Sequence, residues 1–215
     1  MFQENQTVLF QGDSITDAGR NRENAEPNIS DAMGKGYALM AGAALLSRRA
    51  SLNLQVYNRG VGGNVVGQME ARWQEDCLAL KPDVLSILIG INDTARPMCN
   101  APDADTPEGF DRTYRKILDD AKAQNPSLRL VLCEPFGLLT ENVTEDWMPG
   151  LRQRQAFAKQ IAADYDAIWV PFQQLFDDAI QEAPTAYWMP DGVHPTPAGH
   201  YRMAQMWLDA VGCTS

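Results

Sequence analysis

Ser14 follows an apolar run, Val8-Leu9-Phe10, that breaks at Gly12. A buried strand that ends, turns sharply and leaves a hydroxyl at its C-terminal edge is how a chain presents a nucleophile. A helical turn starting there would aim free N–H groups and a positive dipole end at any anion formed beside the serine. Gly12 lets backbone and substrate approach closely. The bland account of the same residues is a strand-end turn in which Asp13 or Ser14 caps a helix. A serine hydroxyl is a poor nucleophile unless a base takes its proton. The chain has two histidines, His194 and His200, so any histidine chemistry uses one of them. In Asp191-Gly192-Val193-His194-Pro195 a carboxylate stands three residues before His194. One tight turn lets it accept from Nδ1–H, which leaves Nε2 for Ser14. A turn with a surface histidine is the competing account. Acyl transfer further needs donors aimed at the developing oxyanion, typically about 2.7–4 kcal/mol each. The Ser14 amide, the Gly63 amide and the Asn92 side-chain amide can supply three, although Gly63 also suits a flexible turn and Asn92 an Asx-turn.

The elements that must carry these residues are short β-type runs alternating with longer helical segments. Strands are expected near Thr7–Phe10, Leu54–Tyr57, Val84–Ile89, Leu128–Cys133 and Ala167–Val170. Val84–Ile89 is apolar on both faces, as a central parallel strand requires. Helices are expected over Tyr37–Leu46, Val66–Leu80, Thr106–Gln124, Gly150–Ala163, Phe172–Ile180 and Pro197–Val211. Met69, Trp73, Cys77 and Leu80 form one face of the second of these. Thr106-Pro107 starts the third and Asn125-Pro126 stops it. Loops are expected over Asp17–Gly36, Gly90–Asp105, Glu134–Trp147 and Ala183–Pro195. Five strands alternating with helices predict an α/β fold: a three-layer, flavodoxin-like, doubly wound parallel five-stranded sheet in the order 2-1-3-4-5. In that order the loops after strands 1, 2 and 3 are neighbours at the ligand-binding edge. Ser14, Gly62-Gly63 and Asn92 occupy those three loops.

Gly12-Asp13-Ser14, Arg59-Gly60-Val61-Gly62-Gly63-Asn64, Gly90-Ile91-Asn92-Asp93 and Asp191-Gly192-Val193-His194-Pro195 resemble the four blocks of the SGNH (GDSL-type) hydrolases. They come in that family's order and span nearly the whole chain. The resemblance implies Ser14 as nucleophile, Gly63 and Asn92 as oxyanion donors beside the Ser14 amide, and Asp191 and His194 as the other triad members. Ile15 stands where the family name has leucine, a volume-conserving change. Gly12 to Gly19, Ala71-Arg72-Trp73 and Val193-His194-Pro195 with Ala198-Gly199-His200 are most similar to the family's carbohydrate acetylesterases, acetylxylan esterases among them. The implied activity is hydrolysis of small acyl esters, acetyl above all, on a carbohydrate or similar alcohol, with no metal or organic cofactor. A thioesterase or arylesterase uses the same machinery and stays open. A metal-dependent phosphoesterase built on Asp13, Asn92, Asp93 and the histidines lacks Asp-x-His and His-x-His clusters. A non-catalytic sugar-binding module is the remaining alternative.

The totals bound the rest. At 215 residues the chain fits one domain, 1–215, with a sizeable core. Hydrophobic residues at 45% and charged residues at 21% are globular values. The net charge of −10 argues against nucleic acid and anionic membranes, either of which needs a basic patch. The expected partner is a small-molecule or saccharide ester, and a homo-oligomer stays open. No run of 18 apolar residues spans a membrane. The expected compartment is the cytoplasm by default, with a removed export signal left open. Cys77, Cys99, Cys133 and Cys213 are widely spaced, with no C-x-x-C pair, and Cys77 and Cys133 read as buried thiols. Phe136, Trp147, Tyr187 and Trp188 fall in edge loops, where they either stack on a sugar or pack the loops down. Asp17, Arg20 and Arg96 either contact substrate or are solvated, and His200 reads as a helix-start residue.

Overall fold

The computed structural model describes residues 2–98 and 105–213. Five parallel strands, β1 (Thr7–Gly12), β2 (Gln55–Asn58), β3 (Val84–Leu88), β4 (Arg129–Cys133) and β5 (Ile168–Val170), form one sheet in the order β2-β1-β3-β4-β5. The expected order is therefore found. Side chains alternate between faces along each strand, and both faces are buried under helices. On one side Val8, Phe10, Val84 and Val131 pack with helices Tyr37–Arg48 and Pro197–Ala210. On the other Leu9, Leu85, Ile87, Leu130 and Leu132 pack with helices Val66–Ala71, Pro107–Gln124 and Met148–Asp164. This two-sided burial is why the strand runs are apolar throughout instead of alternating. Register pairs Phe10 with Asn58 and Gly12 with Leu88, so the ends of β1, β2 and β3 open at one edge.

The structure departs from the sequence expectation in three instructive places. The expected helix Val66–Leu80 is three pieces: Val66–Ala71, Trp73–Asp76 and a 3-10 turn Leu78–Leu80. Met69, Trp73 and Cys77 still share the buried face. The break falls at Arg72, whose guanidinium turns inward and donates to Gln11 Oε1, the Arg59 carbonyl, Asn64 Oδ1, Asp76 Oδ2 and the Gly12 carbonyl. The expected loop from Gly90 instead begins a helix, Ile91–Met98, in which the Thr94 amide and hydroxyl both bond the Gly90 carbonyl. Asn, Asp and Thr compete with helix in its interior but are at home in its first turn. The remaining long loops hold single turns of helix, Ser30–Met33, Glu145–Trp147 and Thr185–Trp188. Helix Pro107–Gln124 begins where Thr106 and Pro107 say it should, with the Thr106 hydroxyl accepting from the Gly109 amide. Cys77 and Cys133 are buried free thiols, as is Cys213; Cys99 lies outside the described residues.

Candidate active site

β1 ends at Gly12, at φ +154°, where an added Cβ would meet the Leu88 carbonyl oxygen at 2.3 Å. Glycine is thus required by the close approach of β3. Asp13 caps the four-residue helix Ser14–Asp17, its Oδ1 accepting from the Ile15 amide at 3.0 Å. The cap and the presented hydroxyl are therefore parts of the same turn. The Ser14 hydroxyl lies 2.8 Å from His194 Nε2, and His194 Nδ1 lies 2.7 Å from Asp191 Oδ2. Asp191 Oδ1 accepts from the Val193 and His194 amides at 2.9 and 2.7 Å, which folds the turn that brings carboxylate to imidazole. Partial burial would push the Asp191 carboxyl up, but the bonds from His194 and the Val193 amide hold it below its ordinary value. The turn is itself pinned. The Leu138 amide donates to the Gly192 carbonyl at 2.9 Å, and the Thr140 hydroxyl to the Asp191 carbonyl at 3.1 Å.

The second loop leaves β2 through Asn58 and carries Gly60, Gly62 and Gly63. The point a Gly62 Cβ would occupy lies within 4 Å of Ser14 Cβ, Asp17 Oδ2 and Arg22 Nη2. Gly63 takes φ +80°, and among the described residues no atom beyond its own and its chain neighbours' lies within 4 Å of the position its Cβ would fill. The third segment is stitched to the second: Asn92 Nδ2 donates to the Asn64 carbonyl at 3.1 Å, and Asp93 Oδ1 accepts from the Val66 amide at 3.0 Å. Ser14, Gly62-Gly63 and Asn92 thus come from three strand ends to one place, with His194 reaching over from the fourth block.

Other residues singled out in the sequence take definite settings. Asp17 and Arg20 are buried, not solvated; Asp17 accepts from the Gly62 and Arg20 amides and from Arg22, and Arg20 Nε donates to the Gly60 carbonyl. Arg96 Nη2 donates to the Gly63 carbonyl. Phe136 is fully buried, 4.8 Å from the Phe176 ring, so it packs its loop down. Trp188 is also buried and donates to the Ala183 carbonyl, and Trp147 lies partly buried against the core. Of the four aromatic residues only Tyr187 stands exposed. Burial pushes Asp13 up to about 7, with the Asp93 charge adding to the rise against the Ile15 amide bond. It likewise pushes Asp93 up to about 6 against the Val66 amide bond. Nothing in the linear sequence marks these two as buried; their signal is position within the first and third blocks.

His200 lies in helix Pro197–Ala210, where Nδ1 accepts from the Tyr37 amide at 3.1 Å and so serves the start of the helix Tyr37–Arg48. Burial, helped by the charge of His194, lowers it from 6.5 to about 4. The folded protein therefore binds fewer protons than the unfolded chain between those values, so stability is full above about 6.5 and lost as pH falls toward 4, by at most about 3 kcal/mol. Thermal unfolding followed from pH 7 to 4 should show that loss in the wild type and a smaller one in His200→Asn. Parallel curves for the two proteins would assign the acid loss elsewhere.

A doubly wound sheet with a serine, a histidine and an aspartate in hydrogen-bonded series at its C-terminal edge defines an SGNH-type serine hydrolase. The comparisons agree. Residues 10–202 match the GDSL-like Lipase/Acylhydrolase family, and the chain belongs to it. It is 33% identical over 210 residues to an acetylxylan esterase of Geobacillus stearothermophilus, covering 95% of this chain and 93% of that protein. A GDSL-like lipase from Parabacteroides merdae superposes with a TM-score of 0.95 at 40% identity, covering 100% of this chain and 99% of that one. Axe2, an acetylxylan esterase from Geobacillus stearothermophilus, superposes at 0.90 with 30% identity, covering 99% and 97%. Solved catalytic mutants of Axe2 replace a serine, an aspartate and a histidine. The protein is a carboxylic ester hydrolase of the SGNH/GDSL type. Among the described residues no helix is long and apolar enough to cross a membrane.

Proposed function

We propose that Ser14, His194 and Asp191 are the catalytic triad of an esterase that removes acetyl groups from carbohydrate alcohols. The Ser14 and Gly63 amides and the Asn92 side-chain amide are its oxyanion donors. The observation that carries this reading is the unbroken series from the Ser14 hydroxyl through the His194 ring to Asp191 Oδ2. In the reaction Ser14 Oγ attacks the ester carbonyl while His194 Nε2 takes its proton. His194 then returns that proton to the departing alkoxide, and a water repeats the sequence on the acyl-enzyme. Asn92 has two amide hydrogens; one is committed to the Asn64 carbonyl, which leaves the second to donate to the forming oxyanion.

The open setting supports a large alcohol and a small acyl group. The His194 and Asp191 side chains are 53% and 41% exposed, an open setting that suits a small acyl group better than a long acyl chain. A cavity of about 400 Å³ between Leu138, Arg152 and Gln173 includes none of the three triad residues. The likeness to acetylxylan esterases supports acetyl and a saccharide. Among the described residues no group of three or more His, Cys, Asp or Glu is arranged to hold a metal ion. The test is acetate release from acetylated xylan, acetylated pectin, peracetylated monosaccharides, aryl acetates and acyl thioesters. Turnover on the sugar acetates is expected to exceed that on the others. Preference for thioester or aryl ester would replace the saccharide reading with a thioesterase or arylesterase.

The hole is tested at Asn92. Asn92→Ala should lower kcat about 10²–10³-fold with little change in KM, because the bond is strongest in the transition state. Asn92→Asp, though the closer isostere, sets an oxygen against both the oxyanion and the Asn64 carbonyl and should fall below Asn92→Ala. A near wild-type kcat for Asn92→Asp on p-nitrophenyl acetate would remove Asn92 from the hole.

A further inference from the structure

We propose that Asp17 is a positioning residue for the oxyanion hole: its carboxylate fixes the Gly62-Gly63 turn at the distance from Ser14 that acyl transfer needs. The inference rests on the hole assigned above and concerns what holds it in shape. Two successive glycines have the widest backbone freedom a chain can have, and Gly63 sits at φ +80° with no side chain to restrict it. An amide donor on such a segment is useful only if something outside it fixes the peptide plane, since a displacement of about 1 Å at a reacting centre can cost about 10² in rate.

Asp17 supplies that restraint from a favourable place. It belongs to the same helical turn as Ser14, its own amide bonding the Asp13 carbonyl at 2.8 Å, so its position is set by the nucleophile's helix. From there Oδ2 accepts the Gly62 amide at 2.8 Å, one residue before the donor at Gly63. The backbones also touch: an added Cβ at Gly60 would lie 2.4 Å from the Asp17 nitrogen. Arg20 closes the same contact, its amide donating to Asp17 Oδ1 at 3.1 Å and its Nε to the Gly60 carbonyl at 2.8 Å. Nucleophile and glycine turn are thereby locked in one unit through a buried side chain.

A carboxylate this near a forming oxyanion would oppose catalysis if its charge were bare. Arg22 covers it, donating through Nε at 3.1 Å and through Nη2, and stands half in solvent on the side of Ser14 and Gly62. Burial alone would push Asp17 up, but the bonds from Arg22, the Gly62 amide and the Arg20 amide hold it below its ordinary value. The acceptor for Gly62 therefore stays ionised through the working pH range.

The experiment measures kcat and KM on p-nitrophenyl acetate for Asp17→Ala, Asp17→Asn and Arg22→Ala, with thermal unfolding of each. Asp17→Ala should lose about 10–100-fold in kcat with KM within about threefold of wild type. Asp17→Asn keeps an oxygen for the Gly62 amide and should return to within about fivefold of wild type. Arg22→Ala leaves that bond in place but bares the carboxylate's charge, so it should lose part of kcat, and less than Asp17→Ala loses. Should Asp17→Ala not fold, Asp17→Ser, polar but too short to reach Gly62, carries the same expectation. Undiminished kcat in a folded Asp17→Ala protein would overturn the proposal, as would a loss residing in KM. An Arg22→Ala loss equal to that of Asp17→Ala would also overturn it, by placing control in the ion pair. Failure of the underlying serine mechanism shows separately, as an active Ser14→Ala protein.

Discussion

Ser14→Ala should lower kcat on p-nitrophenyl acetate by at least a thousandfold, toward the about 10⁶ typical of losing a triad nucleophile. The hydroxyl is hydrogen-bonded to His194 Nε2, and in the proposed triad its removal leaves the base no nucleophile to deprotonate. The backbone amide of residue 14 remains, as do Gly63 and Asn92, so substrate is still held and KM should change little. The fold should survive, because the presenting turn depends on Gly12 and on the Asp13 cap, not on the serine side chain. A thermal midpoint within a degree or two of wild type would accompany the loss. A folded Ser14→Ala protein that keeps its turnover would end the serine mechanism.

The parts of this molecule legible in its sequence are those set by local pattern. Val84–Leu88 is apolar on both faces because the sheet is covered on both faces. Thr106, Pro107 and Asn125-Pro126 bound a helix by their own backbone chemistry, and the structure has it at Pro107–Gln124 with Thr106 as its N-cap. The strand order then places the chemistry, since loops after β1, β2 and β3 must meet at one edge. What escapes local pattern is decided by partners far along the chain. Arg72 sits on a good helical face, yet its bonds to Gln11, Gly12 and Arg59 break that helix. Asn92 and Asp93 look like loop residues until Asn64 and Val66 are seen to need their donor and acceptor. Asp17 and Arg20 suit substrate contact or solvent equally in the sequence, and their burial accompanies the close approach of Gly60. Phe136 and Trp188 fall in edge loops where either solvent or core is compatible with the sequence, and only packing against Phe172 and Phe176 or the Ala183 carbonyl decides for the core.

The aspartate of the fourth block offers the sharpest separation of catalysis from structure. Asp191 performs two tasks with two oxygens: Oδ1 accepts the Val193 and His194 amides that make the turn, and Oδ2 accepts His194 Nδ1–H. Asp191→Asn preserves the first task, because an amide oxygen accepts backbone N–H groups as a carboxylate oxygen does. It inverts the second. The asparagine amide nitrogen would face Nδ1 as a donor, so Nδ1 must become the acceptor and the ring proton moves to Nε2. That N–H then points at the Ser14 hydroxyl, and a base that already carries a proton cannot take another. A loss of about 10⁴ in kcat is expected from the wrong tautomer alone, with geometry and stability close to wild type. If Asp191 only shaped the turn, Asp191→Asn would be nearly silent and Asp191→Ala the damaging change. If it sets the tautomer, asparagine should rescue nothing and should be at least as slow as alanine, whose absent side chain leaves the ring free to choose. The measurement is kcat for both variants on p-nitrophenyl acetate beside their thermal midpoints. Asp191→Asn activity within tenfold of wild type would assign the orientation of His194 to another group.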